Sequence, residues 1–185
     1  MKSRSTRFAL TLTAFVALPL AGMLASNSAR AEDPHDTQAL VQALSKSKLT
    51  LLDGIRQAEK GHGAAISAKF ELEDGKLSLS VYTAEKGLSV PAEENVLEEL
   101  SGSPEQPKWE PKVEVFKDVP HVARSAEQLT LMSVGHSSLA DTVARAQKGQ
   151  AGKVLSVTPI VKNHKPMAEI QVANKGKVTK LLRPL

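Results

Sequence analysis

Hydrophobic positions along the chain follow two periodicities, one after the other, and the succession occurs twice. From Leu51 the apolar residues Leu51, Ile55 and Ala58 recur at helical spacing. Thr50-x-x-Asp53 ahead of them has the form of a capping box, and Lys60-Gly61 closes the run. From Ile66 the period drops to two: Ile66, Ala68, Phe70 and Leu72 point one way, and Ser67, Lys69, Glu71 and Glu73 the other. Asp74-Gly75 predicts a two-residue hairpin, and Leu77, Leu79 and Val81 carry the apolar face along the return strand. Leu139, 88 positions after Leu51, begins the second copy. Ser138-x-x-Asp141 caps a helix bearing Leu139, Val143 and Ala146, Lys148-Gly149 ends it, and strands follow over Val154–Val161 and Ala168–Val172.

The remaining pattern fills in around this repeat. A short helix is expected over Thr37–Ser45 with Asp36 as its cap, and an acidic helix over Ala92–Leu100, stopped by Ser101-Gly102-Ser103-Pro104. Pro104, Pro107 and Pro111 hold an extended loop around Trp109, and Val113–Phe116 reads as a strand. Asp118 and Pro120 open a helix with Val122, Ala126 and Leu129 on one face, ending at Gly135, and a last strand runs over Lys177–Leu182. Asn163-His164-Lys165-Pro166 reads as a looser hairpin than Asp74-Gly75, which places a one-residue insertion there. In the second copy Leu155, Val157 and Val161 put apolar residues on the face that is charged in the first; either a covered second face or a bulge accounts for them.

The first 31 residues have the form of a secretion signal: Lys2, Arg4 and Arg7 precede an apolar run from Phe8 to about Ala25, and Ala29-Arg30-Ala31 is an A-x-A cleavage site. An exported, periplasmic or secreted protein cleaved near Ala31/Glu32 is expected, with membrane contact only if the segment is retained. No cysteine is present, so packing alone must hold the remainder. The net charge of +4 comes from that leader. Residues 32–118 carry 10 basic and 17 acidic side chains, residues 119–185 carry 10 and 3, and a nucleic-acid partner is not indicated. The basic half, with Lys153, Lys162, Lys165, Lys175, Lys177, Lys180 and Arg183, either packs on the acidic half or meets an anionic partner in the envelope.

Catalytic constellations are not found. Gly61-His62-Gly63 lacks the final glycine of a dinucleotide fingerprint, where Ile66 stands, and Gly135-His136-Ser137 lacks the closing glycine of a nucleophile elbow, where Leu139 stands. His35, His62, His121, His136 and His164 include no metal-binding pair at close spacing. Asp53 and Asp141 are explained as helix caps, and Glu71 and Glu73 as a solvated strand face. Trp109 and Tyr82 are the aromatic candidates for recognition, Trp109 being expected to fold back onto the protein. No catalytic, cofactor-binding or metal-binding residue is assigned.

The repeat resembles the PepSY domain, in which a helix with alanine near its end is followed by glycine, an alternating strand, a turn and a second alternating strand. Ala58-(x)2-Gly61, Ile66–Leu72, Asp74-Gly75 and Leu77–Thr83 carry the resemblance in the first copy. Ala146-(x)2-Gly149, Val154–Ile160 and Ala168–Val172 carry it in the second. It implies an α+β fold of two tandem PepSY-like units, each a helix packed on a small antiparallel sheet, over 32–118 and 119–185. It also implies a non-enzymatic module that binds a protein or peptide partner; an inhibitor or folding modulator of a peptidase is the alternative reading, and a sensor of a small envelope ligand or metal the second. Strand addition would use the Pro104–Lys112 loop or the edge near Lys177–Leu182.

Overall fold

The computed structural model describes residues 34–148 and 151–185. The leader and Gly149 lie outside these residues, and the side chain of His35 is likewise not described. Helix α1 (Pro34–Ala43) and a 3-10 turn (Leu44–Lys46) lead into α2 (Leu51–Glu59), then β1 (Ala64–Glu73) and β2 (Lys76–Ala84). After a 3-10 turn at Ala92–Glu94 come β3 (Leu97–Gly102), β4 (Lys112–Val115), α3 (Val119–Val134), α4 (Leu139–Lys148), β5 (Lys153–Lys162), β6 (Lys165–Asn174) and β7 (Lys177–Pro184). The succession helix, helix, strand, strand recurs, and both first hairpins are followed by a third antiparallel strand.

The expected pair of small sheets is not what forms. All seven strands make one antiparallel sheet in the order β4-β3-β2-β1-β5-β6-β7. Its two meanders, β1-β2-β3 and β5-β6-β7, meet at their first strands, where Ala68 pairs with Val157 and Lys69 with Ser156. The buried Ser67 hydroxyl strengthens this junction by donating to the Val157 carbonyl at 3.2 Å. A strand with apolar residues on its inner face and an unpaired edge gains both burial and hydrogen bonds by pairing with its equivalent in the other copy, and a separate small sheet would leave that edge open.

One face of the sheet carries Ala68, Phe70, Leu77, Leu79, Val81, Leu100, Val157, Ala168, Ile170 and Val172, all buried. Helices α2 and α4 pack on it and on each other. Gly54 of α2 sits so close to it that a Cβ there would lie 2.4 Å from Leu79 Cδ2. The capping box of α2 holds as read in both of its bonds, and at α4 the hydroxyl half of the box is present. Asp53 N–H donates to Thr50 Oγ1 at 3.1 Å while Thr50 N–H donates to Asp53 Oδ2 at 2.9 Å, and Asp141 N–H donates to Ser138 Oγ at 3.0 Å. Helix α3, capped by Asp118 and stopped at Gly135 as its sequence predicts, contacts β1, β5 and β6. It lies over the other face, which bears Tyr82, Leu97 and the buried Ser67, Ser78 and Ser80.

Three local expectations are corrected. Residues 92–100 are not a helix: only Ala92–Glu94 make a 3-10 turn, and Leu97–Gly102 pair with β2, because burying Leu97 and Leu100 on opposite sheet faces requires strand alternation. The second hairpin is no looser than the first. Lys162 pairs with Lys165 around Asn163-His164, both at positive φ, just as Glu73 pairs with Lys76 around Asp74-Gly75. The extra residue of the second copy lies between helix and strand, so Gly152 matches Gly63 at an offset of 89. The apolar residues of β5 follow from the same offset, and the bulge does not distinguish the copies. Register shifts between Ala65 and Ser67 and again between Val154 and Ser156, so that Leu155 is the counterpart of Ile66 and Val157, of the same face, that of Ala68.

The two charge halves are not zipped by ion pairs. Among the described residues, the six ion pairs all stay within one half except the local Asp118–His121 contact. Glu59, at the end of α2, is the carboxylate that folding disfavours. Burial raises its pKa most and Asp141 raises it further, against the opposing Ala65 N–H bond and Arg56. A raised carboxylate pKa costs stability above the folded pKa, and the cost is released as pH falls through that value. Glu59→Gln is therefore expected to melt higher than the natural protein at pH 7, with the difference closing below about pH 4; thermal melts at both pH values check it.

Candidate functional site

The structure separates the sequence candidates into those tied into the fold and those left open. Trp109 is 5% exposed and packs beside Gly102, and its backbone N–H donates to Gln57 Oε1 at 3.3 Å. Pro104 is buried too, and its carbonyl accepts from Lys48 N–H at 2.9 Å. The proline-rich loop is thus a strap over α2, and between these two anchors Glu105, Gln106, Pro107 and Lys108 are exposed.

Tyr82 is half-buried on the α3 face. Its ring stacks on Phe116 at 5.9 Å, Phe116 stacks on His121 at 5.2 Å, and Lys69 Nζ stands 5.8 Å from the Tyr82 centroid. Burial first, and then the nearby Glu99 and Glu71, push the Tyr82 hydroxyl well above its usual range, so it is neutral. His121 bonds Asp118 at 2.8 Å, and this contact holds the Asp118 carboxyl below the ordinary value. This cluster anchors the start of α3.

Of the other histidines, His136 and His164 are exposed, His164 within the β5–β6 turn. His62 alone makes a contact that sequence reading missed. Its Nδ1 lies 2.8 Å from Glu98 Oε1, and the same oxygen accepts from Thr83 Oγ1 at 3.3 Å. Glu98 is 5% exposed. Its place in a segment read as an acidic helix concealed it, because Leu97 and Leu100 on either side of it are spaced three apart, as on a helix. No described group of three or more His, Asp or Glu side chains is arranged to hold a metal ion.

What remains open is the pair of sheet edges, which differ. In the first copy the third strand, β3, is covered by β4; in the second, no strand among the described residues covers the outer edge of the corresponding strand, β7. β7 is eight residues long, with Lys177, Lys180 and Leu182 exposed and Arg183 half-exposed. Because Lys175-Gly176 is a two-residue turn with both φ positive, Asn174 and Lys177 form its hydrogen-bonded pair. Alternation along the ladder then turns the N–H and C=O of Val178, Lys180 and Leu182 outward. Pro184 contributes no N–H at the strand end.

No family model, curated protein or solved structure matches this chain. No helix among the described residues is long and apolar enough to cross a membrane.

Proposed function

We propose that this is a non-enzymatic, exported protein-binding module that takes up an extended, acidic segment of its partner along β7. The observation that supports it is the uncovered β7 edge, where the other copy of the repeat has an additional strand. Outward N–H and C=O groups would supply main-chain hydrogen bonds, and Lys177, Lys180 and Arg183 would favour acidic side chains. Residues 165–185 contain five basic residues and one acidic, so the edge attracts such a segment before contact. A peptidase is the partner class that the PepSY resemblance implies, and pairing of β7 with a strand at the rim of its groove is the form such regulation would take.

A fluorescein-labelled eight-residue peptide of alternating valine and glutamate tests this reading. Its anisotropy should rise with protein at low salt, and less at high salt because exposed charges are screened. Lys180→Pro removes one outward N–H without touching the β6 ladder and should abolish the response. Equal binding by Lys180→Pro would exclude β7 as the site.

A further inference from the structure

Resting on the β7 reading, we infer that the partner segment is β4 of a second copy of this chain, so that copies associate head to tail through their sheet edges. Three independent features of the edges agree.

The first is charge. One continuous sheet places the acidic and basic stretches at opposite sides of the molecule. Residues 93–118, around β3 and β4, hold eight acidic and three basic side chains, against one acidic and five basic in residues 165–185. Pairing β7 with another β7 would instead set lysines against lysines, which is unfavourable for directly opposed residues.

Direction and face come second. Six successive antiparallel pairings separate β4 from β7, so the two edges run the same way. A second copy that continues the sheet with its helices on the same sides therefore lays β4 parallel to β7. In that arrangement Lys180 and Glu114 share the α3 face, while Thr179 and Leu181 share the α2/α4 face with Val113 and Val115. Setting Lys180 opposite Glu114 brings Leu181 beside Val115 and Thr179 beside Val113. Val113 and Val115 are 41% and 45% exposed, unusually open for strand valines.

The third is hydrogen bonding. Phe116 N–H donates to the Leu97 carbonyl at 3.0 Å, which marks that pair as hydrogen-bonded and turns the N–H and C=O of Val113 and Val115 outward. A parallel ladder needs one residue's N–H and C=O to bond the two residues flanking its opposite number. With Lys180 opposite Glu114, Lys180 N–H donates to the Val113 carbonyl and its C=O accepts from Val115 N–H. Val113 N–H reaches the Val178 carbonyl, and Leu182 N–H reaches the Val115 carbonyl. Every outward group of β4, the N–H and C=O of Val113 and of Val115, finds a partner in this register. The existing Lys180–Glu169 and Lys112–Glu114 pairs, at 3.0 and 3.3 Å on the exposed surface, are no obstacle, since such pairs contribute little.

A heterologous contact of this kind can be repeated from copy to copy and gives a series of oligomers, open unless the rotation between copies closes it into a ring. Sedimentation velocity of the full chain at low salt should show mass rising with concentration and falling on addition of salt. Lys180→Pro and Val115→Pro each remove one outward N–H, and each protein alone should be monomeric. Their equimolar mixture should form a dimer and nothing larger, since each supplies the edge that the other lacks. The charge reversals Lys180→Glu and Glu114→Lys, which keep both strands, should each weaken association alone and restore it when mixed. A monomer at every concentration, association undiminished in the proline variants, or a mixture that stays monomeric while both variants melt like the natural protein would overturn the inference. Peptide binding that persists in a protein that never self-associates would remove this inference and leave the β7 reading standing; loss of both would remove both.

Discussion

Gly63→Ala should destabilise the protein by about 3 kcal/mol or more, where Gly61→Ala, two residues earlier, changes it by less than about 0.5 kcal/mol. Gly63 sits at φ +75°, a conformation costly for any residue with a Cβ. The added carbon would also lie 2.2 Å from the Ala84 carbonyl oxygen and 2.4 Å from that of Glu85. These are backbone atoms at the end of β2, so relief requires moving the strand. At Gly61 an added Cβ meets nothing within 4 Å, and φ is not positive. Urea unfolding midpoints of the two variants check the contrast; equal midpoints would mean that the turn into β1 is free to rearrange. The sequence marked Gly61 as the left-handed stop of α2, whereas the structure gives that conformation to Gly63, because the chain must turn beside β2 to enter β1.

The second large effect is expected at the contact between His62 and Glu98. His62→Leu leaves the Glu98 carboxylate, 5% exposed, with only the Thr83 hydroxyl at 3.3 Å, and should cost about 2 kcal/mol. The value sits at the low end for a broken buried pair because the His62 side chain is itself 35% exposed and water screens the contact. The double variant His62→Leu/Glu98→Leu should recover part of the loss, since the stranded carboxylate is removed with its partner. A double-mutant cycle by chemical denaturation measures the coupling; additive losses would show that the contact adds nothing beyond its parts.

Local chemistry was legible wherever it acts over a few residues. Both capping hydroxyls, the Asp74-Gly75 turn, the Asp118 cap and the inward faces of β1 and β2 could be read directly, because each depends on neighbours at fixed spacing. Where an inserted residue falls is not local in that sense. Placing the extra residue of the second copy in the hairpin aligns Leu155 with Ser67 and Val157 with Lys69, whereas the strand register aligns them with Ile66 and Ala68. The segment 92–100 failed for a related reason: its acidic residues suit a helix, but Leu97 and Leu100 had β2 to pair with, and tertiary contact overrode propensity. The Glu98–His62 contact joins residues 36 apart in sequence and has no local signature.

The sequence by itself determined the repeat, the type and approximate limits of most elements, and the balance of acid and base between the halves. Those properties follow from periodicity, capping and composition, which a chain carries unfolded. Only the tertiary structure decided that the halves share one sheet, because pairing of β1 with β5 satisfies two edges at once and neither half contains that information alone. The same pairing turned a difference in charge along the chain into a difference between two sides of a molecule. Among the described residues it also left the outer edge of β7 open where β3 is covered by β4.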